Sequence, residues 1–123
     1  MKRSIKSGVG WRVGWHPEGD KYQGLIGTDE WAFELTKAEL IDFRRLVQQL
    51  AETMAQIAAE LMAEEKISCE AETELLWVEV SGYSHSYSLR VILNCDRRCE
   101  GNWNAGVVSE MLAALSSFDL TPA

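Results

Sequence analysis

Between Thr36 and Lys66 the apolar residues Leu40, Phe43, Val47, Leu50, Met54, Ile57 and Leu61 recur at alternating spacings of three and four. That period makes a single stripe along one α-helix. Thr36 and Glu39 have the spacing of a capping box, in which the threonine oxygen accepts an early helix N–H and the glutamate reaches back to the cap. The next stripe position is Glu64, so the buried part is expected to end near Leu61 or Met62. Thirty helical residues would span about 45 Å, more than the roughly 35 Å of a compact domain this size, so the far end must fray or protrude. The mean spacing also fits a coiled coil, but only about three heptads hold. The helix is therefore read as the central post of one domain spanning residues 1–123.

The remaining segments supply the partner for that stripe. Residues 1–8 show no periodicity and are expected to be frayed. Trp11, Val13 and Trp15 alternate with polar or small residues, Pro17-Glu18-Gly19-Asp20 has turn chemistry, and strands follow over 22–27 and Trp31–Leu35. After the helix, Ile67, Cys69 and Ala71 and then Leu76, Val78 and Val80 alternate, as one broken strand or two. Ser81-Gly82 is read as a turn before a strand carrying Tyr83, His85, Tyr87, Leu89, Val91 and Leu93 on one face. Residues 94–104 read as a polar loop, and Val108, Met111, Leu112 and Leu115 as a short second helix. No internal sequence repeat is evident. The expectation is an α+β fold: a curved antiparallel sheet wrapping the long central helix, with a short C-terminal helix.

Composition narrows function mainly by exclusion. The 123 residues carry a net charge of −7 and a hydrophobic fraction of 46%. Residues 51–79 hold Lys66 against eight glutamates, whereas residues 1–24 hold five basic side chains against two acidic ones. Such a balance lacks the basic footprint of a typical nucleic-acid-binding domain. No run is long enough to cross a bilayer, no apolar segment follows the first basic residues, and three cysteines suit a reducing compartment. A cytoplasmic protein is expected.

Few constellations suggest chemistry. The glycines from Gly8 to Gly14 lack the strand and helix that a dinucleotide loop requires, and are read as making room for tryptophans. Cys95 and Cys99 with Cys69 and His85 do not have the spacing of a zinc site, so free thiols are favoured and no cofactor or metal is expected. Tyr83, His85 and Tyr87 could form a base-stacking platform, but their shared parity with Leu89, Val91 and Leu93 favours the core. Glu70, Glu72 and Glu74 read as a solvated edge rather than an acid/base set. His16 has no nucleophile beside it, so the chain is read as not an enzyme. The segment from Asp96 to Trp103 joins two arginines to a tryptophan in a loop, where function concentrates. The competing reading has Trp103 packing the second helix onto the core while the arginines sit in solvent.

Gly10-Trp11-Arg12 with Gly14-Trp15, Leu25-Ile26-Gly27, Trp31-Ala32, Glu34-Leu35-Thr36 and Arg97-Arg98-Cys99-Glu100-Gly101-Asn102-Trp103 together resemble a small cyanobacterial family of uncharacterised proteins. The resemblance spans nearly the whole chain. It implies a cystatin-like, helix-wrapping sheet of the kind grouped with Whirly-type single-stranded-DNA-binding regulators, and it carries over no catalytic or binding residue. The expected function is a non-enzymatic cytoplasmic binding or assembly module, a homodimer acting through a protein partner and not a membrane. Arg12, Arg90, Arg97, Arg98, Glu100 and Trp103 are the candidate binding residues. The alternative is a single-stranded nucleic-acid binder using the arginines with an exposed aromatic.

Overall fold

The capping box at Thr36 and Glu39 forms as its spacing requires. In the computed structural model, which describes residues 3–58, 60, 65–94 and 98–120, the Thr36 N–H donates to Glu39 Oε1 at 2.8 Å and the Glu39 N–H to Thr36 Oγ1 at 3.2 Å. Helix α1 then runs over Lys37–Ala58. Leu40, Phe43, Val47, Leu50 and Met54 are buried and Ile57 half-buried. The helix is shorter than the stripe suggested: Lys66 already belongs to a strand, and Leu61, Met62 and Glu64 lie outside the described residues. At 1.5 Å per residue, α1 measures about 33 Å, which matches the width of a domain this size.

Four strands precede α1 and four follow it. Strands β1 (Ser4–Gly8), β2 (Trp11–Trp15), β3 (Gly24–Gly27) and β4 (Ala32–Leu35) form one antiparallel sheet in sequence order. Strands β5 (Lys66–Glu72), β6 (Leu76–Tyr83), β7 (Ser86–Leu93) and β8 (Glu100–Trp103) form a second, again in sequence order, and α2 (Val108–Ser116) follows. The order of elements thus repeats although the sequence does not. The expected single curved sheet is instead two sheets. Where they approach, Trp103 packs against Trp31 and Phe43, with ring centres 5.2 and 5.6 Å apart, and its indole N–H donates to Gly27 O at 2.8 Å. Indole rings fill this junction. One hydrophobic core, built from both sheets and both helices, runs through the molecule.

Two strands were not expected. Residues 4–8 pair with β2 from Ser4↔Trp15 to Gly8↔Trp11 rather than fray, and residues 100–103 pair with β7 rather than loop. The side chains of β1 are almost all exposed, so main-chain pairing with β2 holds it in the sheet, with Lys6 donating to Ser117 Oγ at 2.6 Å. The turn expected at Ser81-Gly82 lies at Ser84-His85, and Tyr83 closes β6 opposite Ser86. Gly82 sits within β6 at φ +142°, where a side chain would meet the Ser86 carbonyl at 2.9 Å and Tyr87 Cα at 3.0 Å.

Candidate binding face

The turn at Ser84-His85 separates residues that one continuous strand would have aligned. Tyr87, Leu89, Val91 and Leu93 point towards the core as expected, whereas Tyr83 and His85 are exposed and stack on each other with centroids 6.0 Å apart. Burial pushes the half-buried Tyr87 phenol above its ordinary pKa of 10.0.

The outer face of the second sheet is built by the strand period of two. Directly opposed residues form rows across it: Glu72, Trp77, Ile92 and Glu100, then Glu70, Glu79, Arg90 and Asn102, then Ser68, Ser81 and Ser88, and finally Lys66, Tyr83 and Ser86. Trp77 and Ile92 are half-buried on the two central strands. The Trp77 indole N–H donates to Glu70 Oε2 at 3.0 Å, and the Arg90 guanidinium lies 5.8 Å from the Trp77 ring centre, a cation–π arrangement. Arg90 also binds Glu100, its Nε donating to Oε1 at 3.1 Å. Ser68 Oγ donates to Glu79 Oε2 at 3.2 Å. Glu70 and Glu100 thus fix the indole and the guanidinium in place, and the ionic residues Lys66, Glu70, Glu72, Glu79, Arg90 and Glu100 give the face a net charge of −2.

The six residues singled out by sequence do not converge. Arg90 and Glu100 are paired on this face. Arg12 lies on the first sheet, half-buried, with Nε donating to Thr28 O at 3.0 Å and a terminal nitrogen to Trp31 O at 3.3 Å, so it ties β2 to the turn between β3 and β4. Trp103 is 1% exposed and holds the sheets together. Arg98 is exposed at φ +47° just before β8, and Arg97 lies outside the described residues. Sequence reasoning passed over Trp77. Its signal was present, because Trp77 alternates against Leu76, Val78 and Val80, which puts an indole on the solvent side of a central strand.

Elsewhere the surface holds shallow clefts. One of about 170 Å³ on the outer side of the first sheet is lined by Ile5, Leu25, His16, Tyr22 and Glu34 around Gly14. Another of about 240 Å³ lies between the Ser84-His85 turn, α1 and the start of α2. Cys69 and Cys99 are free thiols, and Cys95 lies outside the described residues. No three His, Cys, Asp or Glu side chains among the described residues group as metal ligands. No described helix is long and apolar enough to cross a membrane.

Fold and face together define an α+β domain of two four-stranded antiparallel sheets around a long helix, with an acidic, aromatic surface on the second sheet. The chain belongs to the family described as a domain of unknown function, DUF1818, whose model matches residues 6–118. It is similar to the crystal structure of a protein with unknown function from the DUF155 family of Prochlorococcus sp. NATL2A. Between the two, the TM-score is 0.88 and the sequence identity 29%, over 94% of this chain and 97% of that one. No curated protein matches the chain.

Proposed function

We propose that this protein is a non-enzymatic, cytoplasmic binding module that docks a basic segment of a protein partner on the outer face of its second sheet. The observation that carries this reading is the Trp77–Arg90 stack held between Glu70 and Glu100. A tryptophan and an arginine at the centre of a face are the side chains that dominate protein interfaces. The surrounding glutamates favour lysine and arginine on the incoming chain and oppose phosphates. The twice-repeated order of four strands and a helix supports the cystatin-like, Whirly-like reading of the fold, and the Prochlorococcus neighbour supports the cyanobacterial kinship.

A second reading, a single-stranded nucleic-acid binder, draws on the exposed Tyr83–His85 stack, with Tyr83 41% exposed, and on Arg98. The two readings separate in one titration of the protein with a lysine- and arginine-rich peptide and with labelled single-stranded DNA and RNA. The proposal expects micromolar peptide binding that changes the tryptophan fluorescence and is lost in Trp77→Ala. Nucleic-acid binding that weakens steeply with salt and is lost in Arg98→Ala would overturn it in favour of the second reading.

A further inference from the structure

Among the described residues, strand β5 stands at the free edge of the second sheet, and its seven residues exceed the four or five of the other edge strands β1, β4 and β8. Its inward-facing Ile67, Cys69 and Ala71 are only half-buried, whereas Leu76, Val78 and Val80 on the neighbouring strand are fully buried. A long edge with unpaired main-chain groups is a template for another strand. The chemistry of the strand says which.

We propose that β5 is the seam of a homodimer, pairing antiparallel with β5 of a second copy about a two-fold axis at Cys69. The hydrogen-bond parity agrees. The Thr73 N–H donates to Leu76 O at 2.9 Å across the turn between β5 and β6, and the register from Glu72↔Trp77 to Lys66↔Tyr83 has no bulge. Along an antiparallel strand, main-chain groups point alternately to the two sides. Ala71, Cys69 and Ile67 therefore bond to β6, and the main-chain groups of Lys66, Ser68, Glu70 and Glu72 face outwards. A two-fold at Cys69 places these even-numbered residues in hydrogen-bonded pairs, and Cys69 opposite its own copy in a non-hydrogen-bonded pair.

The side chains agree as well. About Cys69, Lys66 faces Glu72 of the second copy, Ser68 faces Glu70, and Ile67 faces Ala71, so charge meets opposite charge, hydroxyl meets carboxylate, and apolar meets apolar. Centring on Glu70 would set that carboxylate against itself. Centring on Ser68 would leave Ala71 and Glu72 beyond the end of the opposing strand. Pairing joins the two sheets into one of eight strands and is isologous, as a two-fold dimer requires. It engages the edge of β5, where Glu70 borders both surfaces, and leaves the Trp77 and Arg90 side chains on β6 and β7 outside the seam, so it stands whether or not the proposed docking face binds a basic partner.

The register makes Cys69 its own reporter. Opposed residues in a non-hydrogen-bonded pair have Cα atoms about 4.5 Å apart, within the span a disulfide bridges; a slip of two residues would put Cys69 against Ile67 or Ala71. The test uses the full chain carrying Cys95→Ser and Cys99→Ser, so that Cys69 is the sole thiol. Diamide is the oxidant, taking two protons and two electrons from each thiol pair as the S–S bond forms. The expected result is a dimer by sedimentation and a covalent dimer on non-reducing electrophoresis that reductant reverses. Lys66→Glu and Glu72→Lys each turn two symmetry-related attractions into repulsions and should weaken dimerisation by roughly tenfold. The combined Lys66→Glu/Glu72→Lys variant should restore it, with circular dichroism confirming that each variant folds. A monomer at millimolar concentration would overturn the proposal. So would a dimer that both single variants leave intact and that gives no Cys69 link.

Discussion

Replacing Trp103 by phenylalanine tests whether this residue is a structural clamp or part of a binding edge. In the native chain its indole is 1% exposed, donates to Gly27 O at 2.8 Å, and packs on Trp31 and Phe43. Phenylalanine keeps most of the apolar contact but removes the indole hydrogen bond to the buried Gly27 carbonyl, at a cost of about 1–3 kcal/mol. Weakened contact with the two neighbouring rings adds about 1 kcal/mol. The expected loss is therefore about 2–4 kcal/mol out of a total near 6–18 kcal/mol for a chain of this length. At about 4 °C per kcal/mol, the melting temperature should fall by about 8–16 °C. Urea unfolding and a thermal melt measure this directly. Trp77→Phe, on the outer face, should cost under about 1 kcal/mol. A Trp103→Phe protein that melts within a few degrees of the parent yet loses peptide binding would refute the clamp and place Trp103 at a binding surface.

Three other substitutions follow from the fold. Thr36→Ala should cost about 1 kcal/mol through loss of the helix cap, and the double change Thr36→Ala/Glu39→Ala less than the two single losses combined, since the two bonds support each other; urea midpoints of the three variants decide this. Gly101→Ala would drive its methyl group into the Trp31 indole and should destabilise by about 1–3 kcal/mol. Most of that loss should vanish in a Trp31→Leu background, a coupling that a double-mutant cycle reads. Tyr87 gives a pH dependence. Its pKa is raised by burial, so as pH climbs past 10.0 the phenol of the unfolded chain ionises before that of the native protein. Stability is fully present below that pH and falls above it, and Tyr87→Phe should flatten the fall in urea midpoints measured from about pH 9 to about pH 11.

What could be read from sequence is what side-chain periodicity encodes. The α1 stripe, its cap and the alternation in β2, β6 and β7 all reflect burial of one face against one core, and burial selects residue type. The missed strands escaped because main-chain pairing, not side-chain burial, makes them: β1 exposes nearly all its side chains, and β8 is Glu-Gly-Asn-Trp with one buried residue. The misplaced turn has the same origin. Ser81-Gly82 has turn composition, yet Gly82 is there because β7 comes too close for a side chain, and the true turn at Ser84-His85 carries no such mark. For the candidate face, parity already put Trp77 outside among glutamates, but its partners Arg90 and Glu100 lie on other strands and only the register joins them. Arg12 and Trp103 were singled out by residue type, and the polar groups of both are used inside the fold.

The strand order within each sheet has a kinetic consequence. Every ladder joins strands that are neighbours in the chain, so the pairing contacts are local and their loop-closure entropy is small. Each meander can zip hairpin by hairpin, and the first can do so while the second is still being synthesised. The demanding step is left to the last strand, where Trp103 must reach Gly27, 76 residues earlier in the chain. That indole therefore closes the junction between two locally assembled halves that already share α1 in one core, and truncation before β8 should remove this closing contact while leaving α1 packed on β3, β5 and β6.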